Sequence, residues 1–124
     1  MPDQHITNAE WDVMQVVWSQ GRVSAADVIS ALADEKGWNH RTVRTLLSRL
    51  VEKKILAYEV EGNRYVYEAT VTRQRCVQRE GRSFVNKVFG GDVTSLLLHF
   101  VDDSGLDAEE VKKLRAALKS KKRP

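Results

Sequence analysis

Residues 38–50 read Trp38-Asn39-His40-Arg41-Thr42-Val43-Arg44-Thr45-Leu46-Leu47-Ser48-Arg49-Leu50, and this stretch restricts the fold more than any other. At a helical advance of about 100° per residue, Val43, Leu46, Leu47 and Leu50 fall on one side. Arg41, Arg44, Thr45 and Ser48 fall almost opposite. The apolar side requires a core to pack against. The other side carries guanidiniums, which pair with phosphates and guanine edges, and hydroxyls, which bond to bases or phosphates. The pattern predicts a short DNA-reading helix.

The flanking sequence supplies the rest of such a reader. Thr7-Asn8-Ala9-Glu10 has capping-box spacing and opens a helix to about Ser19, with Trp11, Val13, Met14, Val16, Val17 and Trp18 as its apolar positions. Gln20-Gly21 stops it. Ser24 caps a second helix over about 25–36, with Val28, Ile29 and Leu32 inward, and Gly37 ends it. Asn39 caps the third, which is expected to run to about Lys54. Leu56-Ala57-Tyr58-Glu59-Val60-Glu61 then alternates in the manner of a strand. Gly62-Asn63 turns the chain, and Arg64-Tyr65-Val66-Tyr67-Glu68 returns. Three helices and a hairpin, in this order, predict a winged helix-turn-helix with Arg64 at the wing tip.

Charge is distributed to match. Residues 1–70 hold 8 Lys/Arg against 10 Asp/Glu, yet within them residues 36–54 carry Lys36, Arg41, Arg44, Arg49, Lys53 and Lys54 against Glu52 alone. The positive field is therefore focused on the third helix in an otherwise acidic half. Residues 71–124 hold 12 basic and 7 acidic side chains. The tail Lys119-Ser120-Lys121-Lys122-Arg123 reads as a solvated helix end, where cations suit the helix dipole.

From Thr72 the periodicity is helical again: about 73–89, with Val77, Phe84, Val85, Val88 and Phe89, then Gly90-Gly91, then about 92–101. After Asp102-Asp103-Ser104-Gly105, the capping-box spacing of Asp107-Ala108-Glu109-Glu110 opens a last helix with Val111, Leu114 and Leu118. Three helices over some 50 residues make a thin core. Phe84, Val88, Phe89, Leu96, Leu97, Phe100 and Leu114 are therefore expected to meet the same helices of a second chain. The expected fold is mostly α with a small β-hairpin (α+β): a winged helix-turn-helix over 1–71 and a three-helix dimerisation region over 72–124.

Several function classes find no support. No apolar run approaches the roughly 20 residues needed to span a bilayer. The first residues, Met1-Pro2-Asp3-Gln4-His5, lack a basic start and an apolar stretch, so no signal peptide is expected and the address is cytoplasmic. One cysteine makes no internal disulfide. Phosphate loop, HExxH and nucleophile elbow are all lacking, so no enzyme and no cofactor is expected. His5, His40 and His99 lie too far apart in sequence for a metal site. Cys76 lies among Arg73, Arg75 and Arg79, which would favour a thiolate; the expected reading remains an inert cysteine. Tyr58, Tyr65 and Tyr67 are read as cross-strand packing rather than base stacking. A protein-interaction winged helix and a small-molecule-sensing regulator are the alternative functions.

These residues resemble the BlaI/MecI repressors of penicillinase genes. The resemblance rests on Thr7-Asn8-Ala9-Glu10-Trp11-Asp12-Val13-Met14 with Trp18, on residues 38–50, on Phe84-Val85-Asn86-Lys87-Val88-Phe89 and on Ser95-Leu96-Leu97-Leu98-His99-Phe100-Val101. It implies a homodimer on a dyad operator in double-stranded DNA, with TACA/TGTA-type half-sites. By position, Arg41, Thr42, Arg44, Thr45 and Arg49 correspond to the family's recognition helix and Arg64 to its wing. In the penicillinase repressors a membrane sensor-protease triggers cleavage of an Asn-Phe bond; that bond falls on His99–Phe100 here. The paired Cys-x-Cys of the copper-responsive relatives is lacking from the C-terminus.

Overall fold

The first helix, α1 (Asn8–Gln20), starts because Thr7 and Glu10 satisfy each other's backbone donors: Glu10 N–H reaches Thr7 Oγ1 at 3.2 Å, and Thr7 N–H reaches the Glu10 carboxylate at 2.9 Å. Ser24 and Asp27 repeat the device for α2 (Ala25–Lys36). Gly37 ends α2 at φ 64°, a left-handed conformation that costs glycine little. Asn39 Oδ1 then accepts from Thr42 N–H at 2.9 Å and opens α3 (His40–Glu52). The molecule is described by a computed structural model over residues 5–103 and 105–121; the sequence readings that rest on residues 1–4, 104 and 122–124 lie outside it.

The third helix ends two residues before the expected Lys54. Ile55 N–H bonds to Leu50 O at 3.0 Å and Lys54 N–H to Val51 O at 2.9 Å. This pair of bonds is a Schellman stop, which usually places glycine where Lys54 stands at φ 65°. Burial of Ile55 beside Leu50, both at most 1% exposed, supplies the accompanying apolar contact. With no glycine to mark it, this stop had no signature in the sequence.

Strands β2 (Leu56–Glu61) and β3 (Arg64–Ala69) form the expected hairpin. Of its two turn residues only Gly62 has positive φ, 66°, the II′ pattern whose twist suits a hairpin. A third strand was not expected: β1 (Val23–Ser24) pairs antiparallel with β3, Val23 opposite Tyr67 and Ser24 opposite Val66, giving the order β1-β3-β2. Two residues are too few to show alternation, so this strand is invisible to pattern. It fastens the hairpin to the N-cap of α2.

Three further helices follow, α4 (Arg73–Phe89), α5 (Val93–Asp102) and α6 (Ala108–Lys121). Contacts divide the chain into two compact units, between Glu80 and Gly81. The division lies inside α4, since Cys76 is buried in the core of the first unit. That core comprises Val13, Met14 and Val17 of α1, Val28 and Leu32 of α2, and Val43, Leu46, Leu47 and Leu50 of α3, closed by Ile55, Leu56 and Tyr67. Fully burying one such aliphatic side chain contributes about 1.5–3 kcal/mol. Trp11, Val16, Trp18 and Ile29 are only partly buried around it. Trp18 donates its indole N–H to Val71 O at 3.0 Å, holding the chain after the wing against α1.

In the second unit Val85 is the one buried hydrophobic residue among those described. Phe84, Val88, Leu98, Phe100, Val101 and Leu118 are all between 46% and 55% exposed. Phe84 and Phe89 rings lie 6.1 Å apart, Phe89 and His99 6.2 Å, and His99 and Phe100 5.5 Å edge-on. A 370 Å³ groove runs between α5 and α6, lined by Leu97, Leu98, Val101, Val111, Leu114 and Leu118 with Thr94 and Arg115.

Candidate nucleic-acid interface

The core-facing stripe of α3 fixes the opposite face outward. Arg41, Thr42, Arg44, Thr45, Ser48 and Arg49 are all exposed, while Val43, Leu46, Leu47 and Leu50 are at most 4% exposed. His40, Arg41, Arg44, Thr45 and Ser48 line one shallow surface along the first two turns of the helix. The N-terminal end of a helix carries partial positive charge, which adds to these cations in attracting phosphate.

A second surface joins the helix to the wing. Arg44 and Ser48 of α3 share a cleft of about 460 Å³ with Asn63, Arg64, Tyr65 and Tyr67 of the hairpin and with Ser24, Ala25 and Ala26 at the start of α2. Arg64 is thus brought to the same cleft as Arg44, a juxtaposition that 19 intervening residues conceal in sequence. Among the described residues no ion pair engages Arg41, Arg44, Arg49 or Arg64. Their charge is available to a polyanion. Thr42 and Arg49 are exposed but line neither surface.

The tyrosines stack on one another. Tyr58 and Tyr65 lie 4.7 Å apart at an interplanar angle of 7°, and Tyr67 sits opposite Tyr58 in the ladder. Together with Ser48 and Val51 they line a 180 Å³ recess between α3 and the wing. Offset stacks of this kind contribute about 0.5–1.5 kcal/mol beyond their burial. Burial pushes the Tyr67 hydroxyl above its ordinary pKa, although Arg44 pulls it down.

Two single residues gain a structural account. Arginines around Cys76 would favour a thiolate, but its side chain is 1% exposed and burial pushes the thiol up, outweighing the pull of Arg79. Such a thiol is inert. Glu10 is more than a helix cap. It is fully buried, and its Oε1 also accepts from Lys53 Nζ at 2.7 Å. Lys53 is the C-cap of α3 and donates at 2.7 Å to His5 O as well, so the pair ties the start of α1 to the end of α3. Burial pushes the Glu10 carboxyl up, but the Lys53 ammonium and the Thr7 backbone outweigh it and hold the carboxyl below its ordinary value. No sequence signal pairs residues so far apart.

Among the described residues, no three His, Cys, Asp or Glu side chains are grouped to hold a metal ion, and no helix is long and apolar enough to cross a membrane.

Three helices, a hairpin fastened by a two-residue strand, and unpaired arginines shared between α3 and the wing define a winged-helix DNA-binding protein. The profile of the family described as penicillinase repressor matches residues 6–120. The chain is 34% identical over 113 residues to a penicillinase repressor of Staphylococcus aureus, covering 91% of this chain and 90% of that one. It is 32% identical over 116 residues to the methicillin resistance regulatory protein MecI of Staphylococcus aureus strain N315, covering 94% of both. A solution structure of the monomeric form of Bacillus licheniformis BlaI in complex with the blaP half-operator is similar with a TM-score of 0.51 at 31% identity, covering 56% of this chain and 85% of that one. The chain belongs to the penicillinase repressor family, whose members are DNA-binding transcriptional repressors and not enzymes.

Proposed function

We propose that the chain is a homodimeric repressor in the cytoplasm that reads a dyad operator in duplex DNA. Residues 1–71 form the reader and residues 72–124 the pairing region. The observation that carries the reading is the shared cleft of Arg44, Ser48 and Arg64, whose two arginines make no ion pair among the described residues. In this reading Arg41, Thr42, Arg44, Thr45, Ser48 and Arg49 face the major groove, and Arg64 meets phosphate beside it. The complex of BlaI with a half-operator, in a relative of the same fold, supports the choice of partner. Operator selection from a random duplex library tests it, and a palindromic sequence should be enriched. Arg44→Ala should then lose about 1–3 kcal/mol of operator binding and relax the choice at one base pair. A wild-type chain that enriches no sequence would refute specific reading.

Pairing is assigned to Phe84, Val88, Phe89, Leu96, Leu97, Phe100 and Leu114. The support is the nearly coreless second unit, where these large groups stay half-exposed or partly buried in a single chain. Two linked readers gain avidity on a two-fold operator. Release is proposed to follow cleavage at His99–Phe100, by the partner a membrane sensor-protease would provide. That bond lies inside α5, so the protease needs a locally opened helix. Each remaining piece of the ten-residue helix is too short to persist alone. In cells given a cell-wall antibiotic, mass spectrometry should find fragments ending at His99 and beginning at Phe100. An intact chain while target genes switch on would exclude this route.

A further inference from the structure

The wing carries an acidic strand beside its phosphate-seeking arginine. In the β2–β3 ladder Glu61 stands directly opposite Arg64, with Glu59 two residues along on the same face. Opposite charges at such a cross-strand position ordinarily pair. They do not pair here. Glu61 Oε2 accepts instead from Arg22 Nη2 at 2.8 Å, and the same nitrogen donates to Glu59 Oε1 at 2.9 Å. Arg22 stands in the short link between α1 and β1, so its guanidinium approaches the hairpin from the body of the domain.

We infer that Arg22 is a positioning residue for DNA binding: by engaging Glu61 and Glu59 it keeps Arg64 unpaired and masks two carboxylates that would otherwise repel the phosphate backbone. Glu61 adjoins the wing turn and Glu59 lies three residues before it. Charges so placed act on a phosphate at distances comparable to the Debye length, roughly 8 Å in physiological salt. Freed from Arg22, Glu61 would turn to its ladder partner. Arg64 would then have to break that pair before meeting a phosphate. Nη2 satisfies both acceptors because it carries two hydrogens. The effect is transmitted through Arg64 and requires no contact of Arg22 with DNA.

This inference rests on the proposed DNA-binding reading, and one series of variants separates the two. Binding of the full chain to an operator duplex is measured by fluorescence anisotropy from about 50 to 200 mM salt. Arg64→Ala should weaken binding roughly threefold to tenfold and lower the salt slope by about one per chain, the worth of one phosphate contact. Arg22→Ala should do nearly the same. The pair R22A/R64A should be little worse than either alone, and Glu61→Gln added to R22A should restore most of the affinity, with R22A/E59Q/E61Q restoring the rest. Circular dichroism of each variant should show the fold intact, Arg22 being a surface residue. Full affinity in R22A would overturn the inference. So would additive losses in R22A/R64A without rescue by E61Q, which would mean that Arg22 touches phosphate itself, and so would a lost fold in R22A. If R64A and R44A alike bind the duplex as wild type does, the DNA-binding reading fails instead.

Discussion

Lys53→Met should unfold this protein more readily than any other substitution of a charged side chain. Methionine replaces the lysine stem but not its ammonium, leaving Glu10 buried with only the Thr7 backbone as partner. Its Oε2 has no hydrogen-bond partner among the described residues even in the intact protein. Removing one member of a buried ion pair typically costs about 3–5 kcal/mol, because the other charge is left uncompensated. Urea denaturation at neutral pH should read that loss. The pH dependence should change sign as well. In the wild type the carboxyl sits below its ordinary value, so its contribution is present above that value and disappears as pH falls through the lowered one. In the variant, burial is opposed only by the bonds with Thr7, and the carboxyl rises. The loss should then be smallest in acid and grow as pH rises past the ordinary carboxylate range. Glu10→Gln combined with Lys53→Met should recover much of the stability, as no charge remains to be buried. A Lys53→Met chain as stable as wild type at every pH would show the pair to be ornamental.

Leu97→Asp should take the proposed dimer apart while leaving the reader folded. Leu97 lines the α5–α6 groove and is half-buried there in a single chain. An aspartate on that face would enter an apolar interface with nothing to pair it. Sedimentation at micromolar concentration should show dimer for the wild type and monomer for the variant. Operator affinity should fall more than a hundredfold, since each reader then binds without the second. A half-site duplex should be bound equally by both. A wild-type chain that sediments as a monomer would remove the pairing assignment, and the palindromic operator with it.

What the sequence disclosed follows a physical division. Helices announced themselves through their caps, the Thr7–Glu10 pair and the lone Ser24, and both caps close as read, with Asp27 completing the second box. The two faces of α3 were legible because 13 residues repeat the helical period almost four times. Legibility stopped where the determinant was non-local or too short to repeat. Strand β1 has two residues. Arg22 finds Glu59 and Glu61 across 37 and 39 positions, and Glu10 finds Lys53 across 43. The Schellman stop at Lys54 hid because its residue type is unusual for a left-handed conformation. The arginines around Cys76 do not make it a thiolate, because adjacency in sequence says nothing of depth, and depth governs that thiol.

The division of labour around α3 has an evolutionary consequence. Stability resides in Val43, Leu46, Leu47 and Leu50, whereas Arg41, Thr42, Arg44, Thr45, Ser48 and Arg49 face outward and hold up nothing beneath them. Exposed substitutions of that kind usually change stability by no more than about 0.5 kcal/mol. A duplicated copy of this gene can therefore drift through many reading alphabets without passing through an unfolded ancestor. If that face reads the operator as proposed, new operators become reachable one base pair at a time on an unchanged scaffold.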